Sequence, residues 1–217
     1  MIRIQRGTPP DVLVENGQSW TDELMQDLSD GGTVNGVKVS QRYGHPDVRA
    51  ALRRDALRKC MYCEGRVEPV AFGHVEHYRP KATFPERTFE WANLGWSCPQ
   101  CNVAKRDTFD EAYPPIDPYS EDPSSFITAE GPFIYPHPGN TRGRITIDLL
   151  KLNRAGLIED RARVINTLVQ LCEDAIAESQ PSLHDLKVRG IQELARNDSP
   201  FSLVAAEVLN RYGIPLP

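Results

Sequence analysis

At 217 residues, with 40% hydrophobic and 25% charged side chains, the chain has the composition of a soluble globular protein of one or two domains. No run of about 18 apolar residues occurs, which excludes a membrane-spanning helix, and residues 1–7 lack the apolar stretch of a secretory leader, so a cytoplasmic location is expected. The net charge of −5 argues against nonspecific nucleic-acid binding over the whole surface, yet residues 58–106 carry +3 while residues 1–57 carry −1 and residues 107–217 carry −7. Such an acidic remainder weakens unaided capture of a polyanion, so a partner that helps deliver the substrate is expected.

Taken in chain order, residues 1–57 read as a helical lead-in. A short helix is expected to open at Trp20 to Leu24, capped by Ser19 or Thr21 with acids in its first turn, and to end at Gly31 and Gly32. A second helix starts at Pro46, suited to a first helical position, with Val48, Ala51, Leu52, Ala56 and Leu57 as its apolar stripe. Residues 58–108 are short and turn-rich. Phe72 to Tyr78 reads as a strand, and a helix is expected from near Cys98 to about Arg106. Residues 109–143 are rich in Pro and Gly and form an extended connection with one hairpin around Gly131.

Residues 144–217 are expected to be helical after a strand over Arg144 to Leu150, where Ile145, Ile147 and Leu149 alternate. A long helix follows from Ala155 to about Glu178. Pro181 separates it from a second over Leu183 to Arg196, and a third begins at Ser199 and Pro200 and ends at Gly213. The apolar residues of the long helix, Cys172 among them, are assigned to packing alone. The fold class expected is α+β, mostly α-helical.

Cys60 with Cys63 and Cys98 with Cys101 form two CxxC pairs, and in a reducing compartment such pairs indicate a metal before disulfides. Two CxxC turns meeting face to face build a tetrahedral site suited to zinc, and four protein ligands close it, so this Zn²⁺ is expected to be structural. A small segment gains folding free energy from such a staple.

Between and after the pairs lie His74, Glu76, His77, Arg79, Lys81, Asn93, Asn102, Lys105 and Arg106. Phosphodiester cleavage needs an activated water, charge neutralisation and a stabilised leaving oxygen. The His77 imidazole is the candidate general base. Glu76 and Asn102 offer hard oxygens to Mg²⁺ or Mn²⁺, and His74, which shares a strand face with Glu76, is a further candidate ligand. Arg79, Lys81, Lys105 and Arg106 are candidate phosphate contacts, against the plainer reading of a solvated charged face.

This order resembles the HNH pattern of the His-Me finger, or ββα-metal, nucleases, with Glu76, His77, Asn93 and Asn102 at its matching positions. The resemblance implies a ββα finger between helical flanks, a base at His77 and an Asn93 that holds the loop and orients that base. It departs from the pattern in one respect: Glu76 stands where Asp is commoner. Tyr43 to Pro46, Cys60 to Glu64, His74 to Lys81, Asp117 to Tyr119, Asp122 with Pro123, Thr146 with Ile147 and Leu152 to Arg154 are similar to the PtuB family. These are the HNH subunits of Septu-type antiphage systems, a family that includes effectors found beside certain retrons. That resemblance implies a bacterial, cytoplasmic defence nuclease acting on DNA with a PtuA-type ATPase partner, docked through the acidic helical flanks. The retron-associated members hold open tRNA as substrate, and a non-catalytic zinc adaptor is the remaining alternative.

Overall fold

The computed structural model describes residues 1–67 and 72–217. The chain is mixed α/β and about half helical. Helix α1 (Asp11–Ser29) begins nine residues before the sequence reading placed it. Ser19 and Thr21 do not cap it: their hydroxyls donate to the carbonyls of Asn16 and Gly17, the back-bonding such residues adopt inside a helix. Leu13, Gly17 and Leu24 are buried on one side. Helix α2 (Val37–Tyr43), not anticipated from the sequence, buries only Val39. Helix α3 (Pro46–Asp55) starts at Pro46 as expected, with the His45 ring accepting from the Asp47 N–H and Val48, Ala51 and Leu52 buried.

Strand β1 (His74–His77) pairs antiparallel with β2 (Leu94–Ser97), with Glu76 opposite Gly95 and His77 opposite Leu94. The strand is shorter than the predicted Phe72 to Tyr78: Phe72 is 85% exposed, and a side chain at Gly73 would collide with the Trp96 ring. Helix α4 (Pro99–Lys105) follows β2 at once, capped by the Cys98 sulfur accepting from the Cys101 N–H. The β1–β2–α4 unit is packed on its outer side by α3 against β2 and by α1 against the turn at Pro85–Arg87.

Strands β3 (Ile127–Glu130) and β4 (Phe133–Pro136) form the hairpin expected around Gly131, whose φ of +56° glycine accommodates without strain. Residues predicted as a strand after it form helix α5 (Thr141–Leu149) instead. The alternating isoleucines were misleading. The buried set is Gly143, Thr146, Ile147 and Leu150, a helical spacing carried partly by residues that do not read as hydrophobic. Asn140 caps α5 by accepting from the Gly143 N–H, and the Thr146 hydroxyl donates to Arg142 while accepting from the Ile116 N–H.

Helices α6 (Ala155–Ile176), α7 (Pro181–Leu194) and α8 (Ser202–Arg211) follow the expected order. They enclose a second core of Leu168, Cys172, Ala175, Ile191, Ala205 and Leu209. The main core is shared by residues from every segment of the chain, from Met1 to Val204. Buried Lys59 and Glu64, at the first CxxC turn, fasten α8: the Lys59 ammonium donates to the Ser199 carbonyl and the Ser202 hydroxyl donates to Glu64. The first CxxC turn is thereby fixed to the C-terminal helices.

Candidate nuclease site and metal cluster

All five cysteines are unbridged, and Cys60, Cys63, Cys98 and Cys101 bring four Sγ atoms within 4.8 Å of one another. Among the described residues this is the one group of three or more His, Cys, Asp or Glu side chains arranged to hold a metal. A tetrahedral tetrathiolate with metal–sulfur bonds of about 2.3 Å has edges of about 3.8 Å. The Cys63–Cys98 sulfur separation of 3.9 Å fits that edge and is far beyond a disulfide. Burial pushes the Cys60 thiol upward. Cys172 lies fully buried in the second core.

One participant was not anticipated. Arg154, at the start of α6, places its Nη1 3.6 Å from the Cys101 sulfur and its Nη2 3.9 Å from the Cys98 sulfur, while its Nε donates to Gln100. A divalent ion with four thiolates carries a net negative charge, which a guanidinium at this distance offsets. Charge balance alone would demand a cation here; no local motif says which one.

His77 is 8% exposed and its ring meets Tyr43 edge-on at 4.8 Å between centroids. Its Nε2 lies 3.0 Å from the Thr88 carbonyl oxygen. A carbonyl only accepts, so Nε2 carries the proton and the Nδ1 lone pair is left free. Burial holds the imidazole down at about 4, so it is neutral near pH 7.

Asn93 closes the loop that supplies Thr88. Its Oδ1 accepts from the Arg79 N–H at 2.7 Å, and its Nδ2 donates to the Arg79 and Arg87 carbonyls at 3.0 Å. The side chain ties both ends of the turn, next to the carbonyl that orients His77.

Glu76 is turned to α4. Its Oε2 accepts from Asn102 Nδ2 at 2.7 Å, and its Oε1 takes the Lys105 ammonium at 2.8 Å and the Tyr62 hydroxyl at 3.3 Å. Burial nonetheless raises the Glu76 carboxyl above the usual range. A hard cation fits here to the extent that Glu76 offers one carboxylate and Asn102 a carbonyl oxygen once its amide turns. One or two carboxylates with water and phosphate is the common Mg²⁺ environment. His74, the third candidate ligand, is half-buried and pairs with Ser97.

The phosphate contacts expected from the sequence are largely spoken for. Lys105 is not at the surface: it is fully buried, bound to Glu76 and to the His77 carbonyl at 2.8 Å, because the buried carboxylate requires a counter-charge. Arg79 stacks on Phe84 and Phe109 and pairs with Glu111, and Lys81 donates to Val34 and Asn35. Arg106 alone of the four is exposed with its side chain free for solvent. A surface groove of about 810 Å³ is lined by Arg3, Arg6, Lys59 and neighbours, not by Glu76 or His77.

The β1–β2–α4 unit carrying these residues belongs to a known class: residues 60–108 match the family model for HNH endonuclease, and the chain carries an HNH endonuclease domain. It is also similar to the Septu protein PtuB of Bacillus thuringiensis, 34% identical over 156 residues that cover 71% of this chain and 55% of that protein. A second Septu protein PtuB, from Bacillus mycoides (strain KBAB4), is 25% identical over 197 residues, covering 76% of this chain and 67% of the relative. The chain thus spans little more than half the length of the first of these relatives. Among the described residues, no helix is long and apolar enough to cross a membrane.

Proposed function

We propose that the chain is a metal-dependent HNH endonuclease that hydrolyses phosphodiester bonds in DNA. In this reading it is the nuclease effector of a bacterial, cytoplasmic antiphage system and works with a PtuA-type ATPase. The observation that carries the catalytic reading is the His77 ring: neutral, with Nε2–H committed to the Thr88 carbonyl and Nδ1 left as a lone pair. That is the tautomer a general base needs to take a proton from an attacking water. Asn93 is the positioning residue that keeps Thr88 in place.

Glu76 and Asn102 would hold a Mg²⁺ or Mn²⁺, with His74 a further candidate ligand. The cation supplies positive charge for the scissile phosphate and the departing oxygen. The four cysteines hold a structural Zn²⁺, since the closed sphere leaves no site for substrate. The names of the relatives and the acidic surroundings of the finger support a defence complex in which a second subunit helps present the polyanion.

The test is incubation of purified protein, with and without its ATPase, with plasmid DNA and total tRNA in Mg²⁺ or Mn²⁺. DNA cutting that His77→Ala abolishes, at unchanged zinc content, is the expected result. Cutting confined to tRNA would replace the substrate, and metal-dependent cutting by His77→Ala would remove the base assignment. No cutting of either by the complex would favour a non-catalytic zinc adaptor.

A further inference from the structure

Helix α4 has a second functional face. Asn102 and Lys105 turn to Glu76, while Pro99, Val103 and Ala104 floor an open groove of about 670 Å³ that runs to the α5–α6 connection. The charged residues lining it are Arg106, Lys151 and Arg154, with no acid among its lining. Arg154 is held by Gln100 and the cysteine sulfurs, but Arg106 and Lys151 are both exposed.

The backbone sets these two side chains apart in a second way. Arg106 has φ +47° and ψ −132°, close to the first central position of a type II′ turn, where glycine dominates. Lys151 has φ +49°. Both positions would be filled more cheaply by glycine, yet both hold long cations that face one groove. The Arg106 N–H donates to the Asn102 carbonyl at 2.9 Å, so the groove starts one helical turn from the Glu76–Asn102 pair. Four residues of helix rise about 6 Å, within the reach of one or two nucleotide steps of about 3.4 Å.

We propose that this groove binds the sugar–phosphate backbone of the nucleic acid beside the site of cleavage, with Arg106 and Lys151 as the phosphate-contacting residues. The proposal rests on the nuclease reading and extends it to the path of the substrate. The charged residues of the lining are all cations, which favours a polyanion, and the shared helix with Asn102 favours the substrate itself over an acidic protein.

Because the strain and the charge reside in the same residues, substitution separates binding from folding. In a His77→Ala background without divalent cation, anisotropy of a labelled DNA duplex is read across a salt series for Arg106→Gly, Lys151→Gly and Arg106→Lys. Each glycine variant should bind about 3- to 10-fold more weakly at 0.15 M salt and lose about one phosphate from the salt slope. Its melting temperature should hold or rise, since glycine relieves the backbone. Arg106→Lys should keep the slope. Unchanged affinity and slope in both glycine variants would overturn the proposal, as would affinity lost only together with thermal stability, or a parent that does not bind the duplex. Tighter binding of an acidic polypeptide than of the duplex, lost in the same variants, would overturn it in favour of a protein partner. Cleavage of the same duplex by the unmutated protein is scored separately. A protein that binds through Arg106 and Lys151 but cuts nothing supports the groove and refutes the nuclease.

Discussion

Replacing Lys105 by Met separates two readings of this residue. As a surface phosphate contact it could be lost with little effect on stability. The structure instead buries it completely, with its ammonium 2.8 Å from both Glu76 Oε1 and the His77 carbonyl. Removing one partner of a buried ion pair costs about 3–5 kcal/mol, because the remaining charge is left unpaired. For a chain of this size each kcal/mol lowers Tm by about 2–4 °C. Lys105→Met should therefore melt about 6–20 °C lower at pH 8. Burial already raises the Glu76 carboxyl, and loss of its counter-charge favours the neutral form further. A carboxyl with a raised folded pKa stabilises fully below its unfolded value of about 4.3, and that stability is lost as pH rises through the folded pKa. The deficit of the variant should consequently shrink as pH falls from 8 toward 5. Circular-dichroism melts at the two pH values read both effects. A Tm within about 2 °C of the parent, or a deficit that grows on acidification, would refute the buried-pair account.

In the protein free of divalent cation, His77 should make stability fall with acid: held at about 4 when folded, it resists a proton that the unfolded chain takes up near 6.5. Its stabilisation is full above about pH 6.5 and lost as pH falls toward 4, with a slope of at most about 1.4 kcal/mol per pH unit. Urea unfolding of the parent and of His77→Gln should thus give free energies that diverge above pH 6.5 relative to pH 4.5; a constant gap would mean the ring is not held neutral by burial. Cys98→Ser should lose the bound metal and the fold together, since tetrathiolate binding free energies of about 10–16 kcal/mol rival the whole stability of a domain. Elemental analysis beside a melt checks this, and a metal-free variant with the parental Tm would contradict a structural role.

The finger was legible because its signals are local and chemically specific. Two CxxC pairs and the His74–His77 run need only spacing to be read, and β1 and α4 lie where the sequence placed them, within a residue or two, whereas β2 was given no position because Leu94 to Ser97 is too short a run to show a period. The long helix α6 was legible for a different reason: Ile158, Ala162, Ile165, Leu168, Val169, Cys172 and Ala175 follow helical spacing, and Leu168, Cys172 and Ala175 of that stripe are buried. Helix α5 was not, since its buried face uses Gly143 and Thr146, while its isoleucines happen to alternate. The start of α1 was missed because Ser19 and Thr21 look like caps, and nothing local reveals that their hydroxyls bond backward within a helix that began earlier. Lys105 and Arg154 were illegible in principle. A lysine or arginine belongs at the surface unless a distant group demands its charge, and here the demands come from Glu76, 29 positions away, and from Cys101, 53 positions away.

Those two cations also connect the cysteine cluster to the candidate nuclease site. Helix α4 carries Cys101 in the tetrathiolate cluster, Asn102 on Glu76 and Lys105 beneath both Glu76 and the His77 carbonyl. Fixing Cys101 therefore fixes the next residue against the carboxylate, so a metal held by the four thiolates would preorganise the proposed cation side of the site directly. The proposed base is held by other means: the His77 ring depends on Thr88, Tyr43 and the loop that Asn93 closes, none of which belongs to the cysteine cluster or neighbours one of its cysteines in sequence. Partial loss of the staple should thus disturb Glu76 and Asn102 before it disturbs the tautomer of His77. The two halves meet through Lys105, whose ammonium joins the Glu76 side chain to the His77 backbone and so links the proposed cation ligand to the proposed base.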